Sequence, residues 1–157
     1  MNINQKAIEL LEKNKYEESL KLFRRAVQVS RDVQSLNNLA WIYNYEEDDI
    51  ENALMLIREV IDMKPASYFP YNLLGEIYIK KKFWKDASNI LLQSIAIQPS
   101  IEAYKNLGVA KYHLGELKEA AEYFLMGSSN SDNSDYYLYS YVKCLIELGK
   151  ATEERIN

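Results

Sequence analysis

Residues 105–124 read KNLGVAKYHLGELKEAAEYF. The apolar residues recur at helical spacing, yet Gly108 and Gly115 interrupt them. A glycine inside a helix costs ~1 kcal/mol relative to alanine, so each needs a reason: a turn, or a neighbour that comes too close for a side chain. The rest of the chain supplies that reason. Stepping back from Ala120 finds Ala87, Ala53 and Ser19, at intervals of 33, 34 and 34 residues. Four residues beyond each small position stand Phe124, Leu91, Ile57 and Phe23; three before it stand Leu117, Trp84, Ile50 and Tyr16. A second small series runs Gly108, Gly75, Ala40 and Ala7, with Leu107, Leu74 and Leu39 immediately before three of them. Tyr78, Tyr43 and Leu10 follow three residues later, and Pro99 and Pro65 close two copies 34 apart.

Each copy therefore holds two amphipathic helices joined by a tight turn. The small residue on each helix lets two backbones approach, and the proline ends the second helix because it lacks an amide hydrogen and clashes with the preceding turn. One such pair cannot bury its own apolar face and must stack on neighbours. Gly108 then belongs to the packing series and Gly115 to the turn between helices.

This pattern resembles the tetratricopeptide repeat family, with its W-x2-L-G-x2-Y, A-x3-F and P spacing. YNLLGEIY (71–78) with Ala87, Leu91 and Pro99 matches best, and LNNLAWIY (36–43) with Ala53, Ile57 and Pro65 nearly as well. The resemblance covers almost the whole chain, as copies at roughly 1–32, 33–67, 68–100 and 101–134 and a partial fifth at 135–157. It implies a single all-α domain over 1–157, a right-handed superhelical solenoid of antiparallel helix pairs. Few breakers and no alternating strand pattern agree with an all-helical chain.

The copies depart from the family in places. The first lacks both glycine and proline, the EEDD turn of the second carries one extra residue, and Lys111 stands where the fourth should have an aromatic. The fourth ends in GSSNSDNSD (127–135) without proline, where looser packing and a hinge are expected. The fifth, with LYSYVKCL (138–145) and Gly149, stops early in what should be its second helix. Repeat arrays need polar caps, so association or instability is expected at this end.

Composition narrows the function classes. The 157 residues are 48% apolar and 27% charged, an ordinary globular balance, and 19 basic against 23 acidic residues give a net charge of −4. That does not favour nucleic-acid binding, which usually shows a basic excess. No apolar run approaches the ~20 residues that cross a bilayer, and the first residues lack a secretory pattern. With one cysteine, Cys144, no internal disulfide forms. The expected location is cytoplasmic.

Catalytic and metal motifs are weak. GVAKYHLG has neither GxGxxG spacing nor the Gly-Lys-Ser/Thr of a phosphate loop. A zinc site needs several N or S ligands, and His113 is the single histidine. Cys144 and His113 share no nucleophile–base motif, and Cys144 reads as core filler. Glu46, Glu47, Asp48, Asp49 and Glu51 lie in a turn before a helix, which favours acid there; neither they nor NSDNSD (130–135) has calcium-loop order. KKKFWK (80–85) reads as a turn with snorkelling lysines around a packed Trp84. No cofactor, metal or catalytic residue is expected.

What the resemblance does imply is a concave groove, lined by the first helix of each pair, that holds a peptide or protein segment. Carried over by position, it would present Asn37, Trp41 and Asn44 from the second copy and Phe69, Asn72, Glu76 and Ile79 from the third. Glu102, Lys105, Val109 and Tyr112 follow from the fourth, then Tyr136, Tyr139 and Lys143 from the fifth. Residues about one helical turn apart share a face; aromatics supply burial, and asparagine amides pair with peptide backbone. The subtype that clamps the C-terminal carboxylate of chaperones does not fit. One register gives Asn37, Trp41, Leu73, Glu102 and Asn106, the other Asn4, Ile8, Asn38, Phe69 and Leu73, and neither holds the cations required. The expected function is a non-enzymatic protein-interaction scaffold. The alternative is a structural array, a spacer or assembly module, that self-associates through its incomplete C-terminal repeat.

Overall fold

The chain starts its helices in two ways, on a side-chain cap or from a tight turn. In a computed structural model describing residues 1–129, 132 and 134–156, the chain forms nine helices and no strand among those residues. They are α1 (Ile3–Glu12), α2 (Tyr16–Val29), α3 (Val33–Tyr45), α4 (Ile50–Asp62), α5 (Phe69–Lys80), α6 (Trp84–Ile97), α7 (Ile101–His113), α8 (Leu117–Ser128) and α9 (Ser134–Ile156). Three first helices open on a side-chain cap that satisfies an otherwise orphaned amide. Asn2 accepts from the Gln5 amide in a capping box, Asp32 from Ser35, and Ser100 from Ala103. The amide of Ser35 also holds the Asp32 carboxyl below the usual carboxylate range.

Second helices α2, α6 and α8 have no side-chain cap. They open from a tight turn instead. Asn14, Asp48 and Lys82 adopt left-handed backbone with φ of 60°, 51° and 61°, and Gly115 stands at the same place with φ of 77°. The amides that follow close the turn onto the preceding helix: Lys15 onto Leu10, Phe83 onto Tyr78 and Glu116 onto Lys111, at 2.8–2.9 Å. In the second copy Asp49 reaches back to Tyr43, one residue further, which is how the extra residue is absorbed.

Contacts sort the residues into two compact units, Met1–Leu73 and Leu74–Asn157. The division falls inside α5, whereas the repeat phasing treats 1–157 as one array. In the first unit the small positions Ala7, Ser19, Ala40 and Ala53 are all 0% exposed. The Ser19 hydroxyl donates to the Ala7 carbonyl at 2.6 Å, tying α2 to α1. Successive pairs are joined by polar contacts. Asn4 Nδ2 donates to Ser35 Oγ at 2.9 Å, and Asn38 Nδ2 donates to Asn4 Oδ1 at 3.2 Å. The Tyr16 hydroxyl donates to Glu47; burial first, and this bond second, raise the phenol's pKa, and Arg31 makes a two-pronged ion pair with Glu59.

In the second unit the small positions are set by space. A Cβ on Gly75 would lie 2.3 Å from Leu91, one on Gly108 2.6 Å from the Phe124 ring, and one on Gly127 2.5 Å from Tyr137. Lys111 replaces the missing aromatic with charge: its ammonium lies 2.5 Å from Glu116 and 3.0 Å from Glu119, with the side chain 12% exposed. These carboxylates raise its pKa.

One expectation changes. The fifth copy does not turn after Gly149; α9 runs unbroken from Ser134 to Ile156. Gly149 meets nothing within 4 Å, and one helix-interior glycine costs only ~1 kcal/mol, less than continued backbone bonding supplies. Within the expected hinge, Asn130, Ser131 and Asn133 lie outside the described residues, as does Asn157 in the fifth copy.

Candidate functional site: outward faces of the first helices

The candidate groove residues all fall on α3, α5, α7 and α9, and the two units present them differently. In the first unit Trp41 is 40% exposed and lies 4.8 Å from the Tyr45 ring, while Phe69 is 62% exposed and stacks on Tyr68. Asn37 is half-buried, and its Oδ1 is enclosed without a hydrogen-bond partner. Asn72 is half-buried and already engaged with a neighbour. Asn44 is a correction. At 2% exposure it lies inside the fold, because the helix turn that carries it faces packed residues rather than solvent.

Side chains the sequence reading passed over complete this face. Ile8, Leu11, Phe23, Asn37, Asn38 and Trp41 line a cleft of about 260 Å³. Ile8 and Leu11 stand one turn apart on α1, so each was legible as a surface apolar residue. Their meeting with Trp41, some thirty residues away, was not.

In the second unit Glu76 and Ile79 are half-buried on α5, and Glu102 is exposed at the start of α7. Four of the other residues meet in pairs. The Lys105 ammonium lies 5.1 Å from the centre of the Tyr136 ring, and that of Lys143 lies 4.9 Å from the Tyr112 ring. The Tyr112 hydroxyl donates to the Glu147 carboxylate, which raises its pKa. Val109, Tyr112 and Tyr136 also pack against the buried cluster of Ala120, Ala121, Phe124, Tyr137 and Cys144. These aromatics are therefore both core wall and surface. Tyr139, 70% exposed, projects beside Val142 and Ile146, and with Lys143, Glu147 and Lys150 they line a second cleft of about 260 Å³. The stripe Tyr139–Val142–Ile146–Lys150 follows helical spacing, but only a helix continuing through Gly149 brings Lys150 onto it.

The residues weighed for chemistry have structural places. Cys144 is 0% exposed, and burial pushes its thiol pKa up, the setting of a structural rather than a nucleophilic cysteine. His113 stacks on Trp84 at 4.0 Å with an interplanar angle of 8°. Asp49 caps α4 by accepting from the Asn52 amide. Among the described residues no group of three His, Cys, Asp or Glu is placed to hold a metal, and no helix is long and apolar enough to cross a membrane.

Helix pairs closed by a left-handed turn and crossing on small residues define a helical-repeat protein. Residues 33–67 match the tetratricopeptide repeat family. The fold is similar to that of MamA AMB-1, with a TM-score of 0.80 and 18% identity over 96% of this chain and 83% of that one. A second MamA crystal structure gives 0.69 and 17% identity over 98% of each chain. YrrB, described as a TPR protein with an unusual peptide-binding site, gives 0.73 and 19% identity over 83% of this chain and 68% of its own. No curated protein sequence matches. The second copy is thus a tetratricopeptide repeat by sequence, and the chain carries the all-α fold of tetratricopeptide repeat solenoids.

Proposed function

We propose that this chain is a non-enzymatic, cytoplasmic scaffold that binds a segment of a partner protein along the outward faces of its first helices. The observation that carries this reading is the pairing of Lys105 with Tyr136 and of Lys143 with Tyr112, beside the exposed Tyr139. Rings held against a packed core lose little freedom on binding, and the lysines above them keep cations beside an apolar surface, an arrangement suited to recognition. The peptide-binding site named for YrrB, a protein of similar fold, is consistent with it. The test is selection from a displayed random-peptide library. Enriched peptides should lose on the order of tenfold in affinity for the Lys105→Ala/Tyr139→Ala double variant, with helicity and melting unchanged. Undiminished binding by that variant would remove these residues from the site.

A second reading is favoured by α9 itself, where Leu138, Tyr139, Val142, Leu145 and Ile146 are each at least 43% exposed. A helix stripe this apolar suits assembly with another copy. Sedimentation across a concentration series would show mass rising in the parent and not in Val142→Glu.

A further inference from the structure

Gly149 sits in a helix without the reason its counterparts have. A Cβ on Gly75, Gly108 or Gly127 would strike a side chain, whereas one on Gly149 would meet nothing within 4 Å. The surrounding residues supply a use for its small size. Leu138, Val142, Leu145, Gly149, Thr152 and Ile156 follow one another at alternating steps of four and three, the spacing of a seam between paired helices. All six are exposed, Leu145 at 43% and Ile156 at 79%, and none is charged. The Thr152 hydroxyl donates to the Leu148 carbonyl at 3.0 Å, so its polar group is satisfied within the helix and its methyl is left for an apolar contact. Lys143 and Glu147 are engaged elsewhere, both with Tyr112.

We infer that α9 pairs antiparallel with α9 of a second copy along this seam, Leu145 seated on the partner's Gly149. The inference rests on the assembly reading of α9 and gives it a direction and a register. That register sets Val142 against the partner's Thr152 and Leu138 against the partner's Ile156, and the two-fold axis repeats each contact. Large meets small at the central layers, so the helices approach closely at Gly149, as α7 and α8 do where Phe124 covers Gly108. On the flanks, the Tyr139 hydroxyl comes beside the partner's Glu153 as a donor, and the Tyr141 ring comes beside the partner's Arg155. A parallel pair would set Gly149 on the partner's Gly149 and leave a void at its middle. A helix of unrelated sequence would need a small residue opposite Leu145 and a large one opposite Gly149; α9 already has both.

Sedimentation of the full chain across a concentration series reads the strength of pairing, and disulfide formation reads its register. Gly149→Leu should weaken dimerisation on the order of tenfold or more without lowering the melting temperature of the dilute chain, because it displaces no atom of the chain itself. Leu145→Ala/Gly149→Leu, which exchanges large and small, should restore the dimer. Under mild oxidation, Leu145→Cys mixed with Gly149→Cys should give a cross-linked dimer that neither variant gives alone; the parent, with Cys144 enclosed, is the blank. Cross-linking of each variant with itself means parallel pairing and overturns the assignment, as does a dimer that Gly149→Leu leaves intact. A dimer that Val142→Glu abolishes but that gives no mixed cross-link overturns the register and spares the assembly reading. A parent that stays monomeric throughout the series removes both.

Discussion

The two units solve one packing problem with different chemistry. In Met1–Leu73 the small positions are alanine or serine, and neighbouring pairs are joined by polar bonds: Ser19 to Ala7, Asn4 to Ser35, Asn38 to Asn4, Arg31 to Glu59. In Leu74–Asn157 the first-helix small position is glycine, at Gly75 and Gly108, and Leu91 or Phe124 occupies the space a Cβ would need. Ala7 and Gly108 hold the same place in the pattern, as do Phe23 and Phe124. The repeat therefore specifies a crossing distance and a combined volume rather than particular residues. Polar joints such as Asn4 to Ser35 in the first unit and Tyr112 to Glu147 in the second add direction to that shape.

The largest effect should come from removing shape where shape dominates. Phe124→Ala should cost ~3–5 kcal/mol, measured by chemical denaturation, because Gly108 cannot fill the cavity. Gly108→Ala should cost ~1–3 kcal/mol through overpacking against the Phe124 ring. Combined with Phe124→Leu it should cost less than the two single changes together. Strict additivity in that cycle would break the volume argument. Next comes Asn4→Leu, which keeps size but strips Ser35 and Asn38 of their partner; a loss of ~1–3 kcal/mol is expected. A neutral result there would mean that the polar joints of the first unit add nothing to its shape.

The turns offer a smaller and cleaner contrast. Gly115→Ala meets no atom within 4 Å, so its cost of ~1 kcal/mol should be the left-handed backbone alone. Lys82→Gly should move stability up by as much as ~1 kcal/mol for the same reason. Same-signed shifts in melting temperature for this pair would contradict the shared turn geometry. Arg31→Gln should matter least, at most ~0.5 kcal/mol, since that ion pair is open to solvent, and added salt should shrink the difference further.

Most of the fold could be read from residue types because small and large positions recur on one phase, and helical packing converts that recurrence directly into close crossings. Gly108 and Gly115 were assigned correctly on that basis alone. Lys111 was not explicable from its own position; its partners Glu116 and Glu119 come into reach only after the chain reverses at Gly115. Left-handed backbone at Asn14, Asp48 and Lys82 has a sequence correlate in their place in the repeat, but none in residue type beyond asparagine and aspartate tolerating it. The fifth copy is one helix where repeat phasing places a second, because no proline or other stop signal halts α9 beyond Gly149. For the site, spacing indicated which helices would present side chains. It could not separate Asn44, enclosed, from Asn37, beside a cleft, since both lie on α3 and differ only in what surrounds them.

Cys144 has a use beyond filling the core. It is the sole thiol, it is wholly enclosed between α8 and α9, and its ionisation is held back by burial. A thiol reagent therefore reacts only when that hairpin opens, and the rate of labelling is a stopwatch for opening of the C-terminal pair in the unmodified protein. If a ligand seats on α7 and α9, the stopwatch should slow in proportion to the fraction of chains occupied. The occupancy of this face would then be readable without attaching any dye or tag to the surface that does the binding.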